Sequence, residues 1–242
     1  MNKILFPQGS LHIKDGKPVK EIAYSVCGGR KPAALWLQMT AEELPGKPQF
    51  FAADKGLDYY HAAGLFPDKV IGDGDSADPL LWKKEVESGK ALVFPIDKDK
   101  TDLQLLLETL PSEKLWIFSG LYGGRLDHLL SAFETVGEAA LKENRTIILA
   151  DEREITVFVP AGVSVDFYPP KDETPVAVSV LSFTEKSKVS INGTKWELEN
   201  QEIERNNPYA VSNEMSDAEM MREFPHVRFS CHEGMAIFYV AG

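Results

Sequence analysis

Asp73 and Asp75 stand two residues apart in the run Gly72-Asp73-Gly74-Asp75-Ser76, directly after the apolar pair Val70-Ile71. On an extended backbone, residues two apart point to one face, so both carboxylates reach the same place. Gly72 and Gly74 let the main chain turn sharply or pass close to a ligand. One or two carboxylates completed by water and phosphate oxygens are what Mg²⁺ favours. Asp99 offers a third carboxylate, able to share a cation or hold a second one. Alone, an Asp-x-Asp run reads as a solvated acidic turn. It gains weight here because acidic residues follow several apolar runs. Asp54 follows Phe50-Phe51-Ala52-Ala53, and Asp97, Asp99 and Asp102 follow Val93-Phe94-Pro95. Lys98 and Lys100 alternate with these aspartates. The plain reading is a solvated loop, and the chemical one is lysines on phosphate oxygens beside aspartates on a metal. Asp102 falls in a first helical turn, where the helix dipole favours it independently.

A second candidate is the loop Gly120-Leu121-Tyr122-Gly123-Gly124-Arg125-Leu126-Asp127-His128, which enters a helix. Backbone N–H groups at such an entry can cradle an anion, and Arg125 can clamp a phosphate through two nitrogens. No Gly-Lys-Ser/Thr follows, so it is not a Walker A loop. By itself the segment reads more readily as a flexible loop, and His128 as a packing or capping residue. Further on, Trp196 lies in Gly193-Thr194-Lys195-Trp196-Glu197-Leu198, where a tryptophan is ordinarily core. Ser212-Asn213-Glu214 is ordinarily a polar turn.

The elements that must position these residues change in character near residue 150. Before it, short apolar runs (Ile22–Val26, Gln49–Ala53, Lys69–Ile71, Ala91–Phe94, Leu115–Phe118, Thr146–Leu149) alternate with helical patterns. Gly56–Ala63 stops at Gly64, Asp78-Pro79 starts a helix that Gly89 ends, Thr101–Leu110 has apolar residues at helical spacing, and a long helix follows Asp127. Alternating strand and helix predicts a parallel sheet covered on both faces, in which ligands bind beyond the carboxyl ends of the strands. The candidate aspartates all follow strands. After residue 150 the pattern turns to short strands: Ile155–Val159, Val163–Phe167, Val176–Phe183, Lys188–Ile191, Lys195–Leu198, Val227–Ser230 and Ala236–Val240. These predict an antiparallel sandwich or barrel, with Asn192-Gly193 as a type I′ hairpin turn and a short helix within Ser216–Pro225.

The 242 residues are 43% hydrophobic, enough for a large core or two smaller ones. A net charge of −11 argues against sequence-independent nucleic-acid binding. The cysteines, Cys27 and Cys231, form no CxxC pair, so neither a structural zinc site nor a disulfide framework is expected. The first residues lack a signal peptide's apolar stretch and no run is long enough to span a membrane, so a cytoplasmic location is expected.

Taken together, these segments resemble the thiamine pyrophosphokinase family. Ala53-Asp54-Lys55-Gly56 is similar to its Ala-Asp-Gly-Gly element, with Lys55 in place of a glycine. Pro67 to Ser76 is similar to Pro-Asp-x-x-Ile-Gly-Asp-Phe-Asp-Ser, with Gly74 in place of Phe. Asp99-Lys100-Thr101-Asp102 resembles Asp-x-Thr-Asp, and Gly123 to His128 resembles Gly-Gly-Arg-x-Asp-His. Gly193 to Leu198 is similar to Gly-x-Lys-Tyr/Trp-x-Leu, and Ser212-Asn213-Glu214 to Ser-Asn-Glu.

The resemblance implies a Rossmann-like, mostly parallel α/β/α domain over 1–150 and a C-terminal antiparallel β-sandwich over 151–242. It implies pyrophosphoryl transfer from ATP to thiamine, with Asp73, Asp75 and Asp99 as Mg²⁺ ligands. Asp54, Lys98, Lys100, Asp102, Gly123, Gly124, Arg125 and His128 would face ATP. Arg125 and Asp127 would lie near the polyphosphate and the reacting hydroxyl. Trp196 would stack on thiamine, a cationic heterocycle, with Ser212 or Asn213 bonded to it. It also implies a homodimer, with thiamine between the α/β domain of one subunit and the β domain of the other. The competing expectations are a pyrophosphokinase for another alcohol, such as a hydroxymethylpterin, and a non-catalytic thiamine or nucleotide sensor.

Overall fold

The computed structural model describes residues 2–14, 21–171 and 173–242. The chain opens with a hairpin of β1 (Asn2–Phe6) and β2 (Gly9–Lys14). It continues through β3 (Ile22–Val26), α1 (Ala34–Glu43), β4 (Gln49–Ala53), α2 (Gly56–Ala62), β5 (Lys69–Gly72) and α3 (Pro79–Glu87). Then come β6 (Ala91–Val93), α4 (Asp102–Thr109), β7 (Leu115–Ser119), α5 (Leu126–Lys142) and β8 (Ile147–Ala150). The remainder is strand, β9 (Glu154–Pro160), β10 (Val163–Tyr168), β11 (Ala177–Ser182), β12 (Lys186–Asn192) and β13 (Leu198–Glu204), then α6 (Asp217–Met220), β14 (Val227–Glu233) and β15 (Met235–Ala241). Two compact units result: Val19–Ala139 with Leu149–Asp151, and Met1–Pro18 with Ala140–Ile148 and Glu152–Gly242.

In the α/β unit, β7, β3, β4, β5 and β6 lie side by side in that order, all parallel. Every residue of β3 and β7 is buried, as their mostly apolar runs require of strands covered on both faces. Two of the polar groups inside pair with each other: Tyr24 Oη lies 2.9 Å from Ser119 Oγ, which donates to the Ala150 carbonyl at 2.7 Å. Helix starts follow the side-chain chemistry. Asp78 Oδ1 accepts from Leu80 N at 2.9 Å and Leu81 N at 3.1 Å, with Pro79 beginning α3. Thr101 and Gln104 form a reciprocal capping box on α4. The helix α1 was not expected. Its N-cap position is Ala33, without a side-chain cap bond, so no start signal precedes it.

In the β unit, six strands order as β1-β2-β10-β14-β12-β13, and β11-β15-β9 form an antiparallel layer. Phe229 of β14 and Phe238 of β15 stack at 5.4 Å, and both are fully buried, so the two layers share one apolar core. A division at residue 150 does not describe the N-terminus. The hairpin β1–β2 pairs through β2 with β10, placing Leu11 opposite Phe167 and Ile13 opposite Val165. Buried Ile4, Leu11 and Ile13 supply the apolar face that favours this docking.

Asp166 of β10 fixes the same register. Its side chain is fully buried and accepts from Lys14 Nζ at 2.5 Å and from Arg228 Nε and Nη2 at 2.7 and 3.0 Å. Burial alone would raise its carboxyl, but the bonds from Arg228 and Lys14 outweigh it and hold the group below the usual carboxylate range. A depressed folded-state pKa stabilises above the unfolded value of ~3.9, and that stability is lost as pH falls through the folded value. Arg228→Met is expected to cost about 3 kcal/mol at neutral pH by leaving a buried carboxylate under-paired, measured by urea unfolding. A cost that does not shrink below about pH 3 would remove Asp166 as its cause.

Candidate functional site

The acidic residues converge where the parallel strands end. Asp54 follows β4 in a left-handed conformation (φ 41) and is 7% exposed. Its Oδ1 accepts from Gly74 N at 3.1 Å. Gly72 (φ 147) must lack a side chain, because a Cβ there would lie 1.9 Å from Asp54 Oδ1. Ligand oxygens of Asp54, Asp73 and Asp75 all come within 4.8 Å of one another. Asp73 Oδ1 accepts from Asp75 N at 3.1 Å, so the two-residue spacing is locked by an Asx-type turn rather than by continued strand.

Charge is crowded here. Burial, followed by a hydrogen bond with Asp102 and the charge of that carboxylate, raises the Asp54 carboxyl. Burial, then the charge of Asp73, raises Asp75. Lys98 offsets part of this: its Nζ donates to Asp73 Oδ2 at 2.5 Å and lies 3.1 Å from Asp102 Oδ1. The bond from Lys98 lowers the Asp73 carboxyl. The geometry toward Asp102 is too oblique for a hydrogen bond, and Asp102 Oδ1 is a buried oxygen without a hydrogen-bond partner among the described residues. An all-oxygen set of crowded carboxylates, offset only in part by one ammonium, fits a hard divalent cation such as Mg²⁺.

Asp99 is exposed and does not join this group; Asp54 stands in its place, with Asp102 alongside. The cause is local. Asp102 is held by the capping box of α4, while Asp99 sits before the cap in an exposed loop. Lys100 pairs with Glu108 at 2.6 Å, away from the aspartates.

A cleft of about 700 Å³ opens on this cluster, lined among others by Gly28, Asp54, Asp75, Lys98, Gly120 and Asp127. Gly123 and His128 also line it, and Gly123 and Gly124 both take positive φ. Arg125 and Asp127 pair with each other, Nε to Oδ1 at 3.1 Å and Nη2 to Oδ2 at 2.6 Å, with both side chains exposed. That bond lowers the Asp127 carboxyl, so it is ionised at neutral pH. Cys27 also lines the cleft, but burial pushes its thiol up to about 12, which leaves it un-ionised and unreactive.

Another part of the lining, Gly28 and Gly29, is fixed by contacts that no sequence pattern singles out. Arg30 donates through Nε and Nη2 to Asp151 Oδ2 at 2.9 and 2.5 Å, and its backbone N donates to the Tyr122 carbonyl. This fixes the turn Gly28-Gly29-Arg30 against the Gly120–Gly124 loop. Only the doubled glycine before Arg30 signalled it.

In the β unit, Trp196 is not core: it is 57% exposed, with Lys195 Nζ 4.8 Å from its ring centroid. Residues 193–197 form a loop between β12 and β13, not the expected strand, and Asn192 lacks the positive φ that a type I′ turn requires. Asn213 holds this loop. Its Oδ1 accepts from Trp196 N at 3.2 Å and Glu214 N at 2.9 Å, and its Nδ2 donates to Thr194 Oγ1 at 3.1 Å and the Trp196 carbonyl at 2.7 Å. Both amide donors and both acceptor sites are used internally. Ser212 takes φ 56, and its N donates to Ser179 Oγ at 3.0 Å. Asn213→Ala is expected to speed hydrogen exchange at the Trp196 amide by about tenfold or more, since its acceptor is removed. Unchanged exchange would mean that the loop is held without Asn213.

Fold and cleft together define a class: a parallel α/β unit with clustered carboxylates and glycine turns at its strand ends, joined in one chain to an all-β unit. Family models for "Thiamin pyrophosphokinase, catalytic domain" and "Thiamin pyrophosphokinase, vitamin B1 binding domain" match residues 42–149 and 165–235. The chain belongs to the thiamin pyrophosphokinase family. It is 29% identical over 165 residues to Thiamin pyrophosphokinase 1 of Caenorhabditis elegans, a match spanning 64% of this chain and 65% of that protein. The crystal structure of thiamine pyrophosphokinase from Bacillus subtilis is similar, with TM-score 0.70 and 26% identity, covering 92% of this chain and 99% of that one. Thiamin pyrophosphokinase from Candida albicans shares the fold at TM-score 0.68 and 12% identity, covering 96% and 99%.

Proposed function

We propose that this chain transfers the pyrophosphoryl group of ATP to the hydroxyl of thiamine, giving thiamine diphosphate and AMP, in a Mg²⁺-dependent reaction. The observation that carries this reading is the cluster of Asp54, Asp73 and Asp75 beside Asp102 and Lys98, opening on a cleft at the ends of a parallel sheet. Asp54, Asp73, Asp75 and Asp102 would hold the cation, with Asp99 an outer carboxylate. When bound, Mg²⁺ neutralises triphosphate charge in a site that is otherwise anionic.

The remaining steps belong to the chain. The cleft receives ATP, with Lys98, Lys100, the Gly123-Gly124 turn and His128 around its phosphates. Arg125 turns from Asp127 onto phosphate oxygens, and Asp127, so released, accepts the proton of the thiamine hydroxyl. That oxygen bonds to the β-phosphorus, the bond from this phosphorus to the α,β-bridging oxygen breaks, and AMP leaves. Positioning and fixed charge provide the rate. Trp196 offers an exposed face for thiamine, held by Asn213, with Ser212 the neighbouring polar group.

The α/β unit is proposed to be Rossmann-like, its ligand lying beyond the strand ends. We further propose a homodimer that completes each thiamine site, supported by exposed Val176, Trp196, Tyr209 and Val211 on the β unit. A cytoplasmic location is supported by two free cysteines, and among the described residues no helix is long and apolar enough to cross a membrane.

Incubation with Mg²⁺, ATP and thiamine tests the reading, with AMP and thiamine diphosphate the expected products. ADP in place of AMP, or thiamine binding without nucleotide turnover, would overturn it.

A further inference from the structure

The ammonium of Lys98 lies inside the carboxylate cluster, not on its rim. Its Nζ is 2.5 Å from Asp73 Oδ2 and 3.1 Å from Asp102 Oδ1, and the side chain is only 14% exposed. Lys100, two residues on, is half exposed and paired with Glu108 outside the cluster. We propose that Lys98 is a resident counter-ion, which an incoming divalent cation displaces and which then turns onto the polyphosphate. This rests on the proposed function, for which the cluster takes Mg²⁺ and the cleft takes ATP.

Asp73 Oδ2 holds the ammonium and Oδ1 the Asp75 amide, so a cation that takes Asp73 as a ligand competes with Lys98 for that carboxylate. The two positive charges cannot share it, because at an effective dielectric of about 20 their repulsion at contact exceeds a tenfold change in affinity. The exchange has a route. Lys98 lies in the loop between β6 and α4 and lines the cleft, and a four-carbon stem can swing its head through several ångströms. The direction is set by charge: a displaced ammonium is repelled by the cation and attracted by phosphate oxygens in the same cleft. Before the cation arrives, Lys98 serves a second purpose. It offsets the mutual repulsion of Asp54, Asp73, Asp75 and Asp102, which would otherwise push apart the strand ends that carry them.

The test is titration of the full chain with MgCl₂, without nucleotide or thiamine, by calorimetry. Lys98→Met is expected to bind Mg²⁺ about tenfold more tightly than the parent, since the competing cation is gone. Its melting temperature falls in EDTA and recovers with Mg²⁺, and its KM for ATP rises about tenfold. Lys98→Arg keeps the charge and the parent's metal affinity, and Lys100→Met also leaves metal affinity within about twofold. Lys98→Gln keeps a polar head against Asp73 and repeats the measurement if the methionine variant does not fold. A Lys98→Met or Lys98→Gln variant that binds Mg²⁺ no more tightly than the parent overturns the exchange, even if the parent releases AMP. Tighter metal binding with no AMP from any variant would leave the exchange standing and overturn the proposed reaction instead.

Discussion

Asp73→Asn is expected to lower turnover by about 10²-fold or more, read as AMP release at saturating Mg²⁺, ATP and thiamine. The substitution is nearly isosteric, so the loss reports charge. Asp73 Oδ1 holds the amide of Asp75, and Oδ2 takes Lys98. The neutral amide removes one anionic ligand from the cluster. Without metal, it also takes from Lys98 its anionic partner, so the empty cluster loses order as well. The fold should tolerate it, because Asp73 lies at a strand end rather than in the core. An unfolding midpoint within about 0.5 kcal/mol of the parent separates the chemical loss from a structural one. Near-normal activity at saturating Mg²⁺ would exclude Asp73 as a metal ligand.

Gly120→Ala is expected to give a large loss of stability, about 3 kcal/mol or more. Gly120 has φ 69, which costs a residue with a Cβ about 1 kcal/mol. The new Cβ would lie 2.3 Å from the Cys27 carbonyl oxygen, so backbone must move. Overpacking against backbone adds about 1–3 kcal/mol. The displaced segment is the end of β7 and its neighbour at the end of β3, where Cys27 N donates to Ser119 O and Gly29 N to Gly120 O. These bonds form the floor of the cleft, so the variant should also bind ATP more weakly. Equilibrium unfolding in urea measures the first effect. A loss below about 1 kcal/mol would show that the two loops separate easily.

Much of the α/β unit was legible in the sequence because its signals are local. Asp78-Pro79 and Thr101 with Gln104 are complete helix starts within a few residues, and β3 and β7 are mostly apolar because both faces are covered. What failed depended on distant partners. β13, Leu-Glu-Asn-Gln-Glu-Ile-Glu, buries only Ile203 and is a strand because β12 pairs with it. β1 and β2 acquire their core only from β10. In the site, Asp73 and Asp75 were legible because their spacing coincides with aspartates after neighbouring apolar runs. Asp54 joins them through its left-handed backbone and the close approach of Gly72, which no local pattern encodes. Asp99 and Asp102 share a motif and differ only in which side of the helix cap they occupy. Lys195–Leu198 reads as a strand because polar and apolar residues alternate there, whereas the Asn213 side chain holds that stretch as a loop.

The union of β2 with β10 also sets an order of events during synthesis. Lys14 and Asp166, which bond to each other, are 152 positions apart. The strands of the parallel sheet from β3 to β7 are all translated inside that interval. The first hairpin therefore leaves the ribosome long before the edge it will join. Until then β2 carries an open row of N–H and C=O groups beside the apolar Leu11 and Ile13, the kind of edge that pairs with foreign strands. The α/β unit can form while the hairpin waits, and the β unit closes only after β10 emerges. A nascent chain stalled before Val163 thus displays β2 as an unpaired, partly apolar strand, open to pairing with other chains.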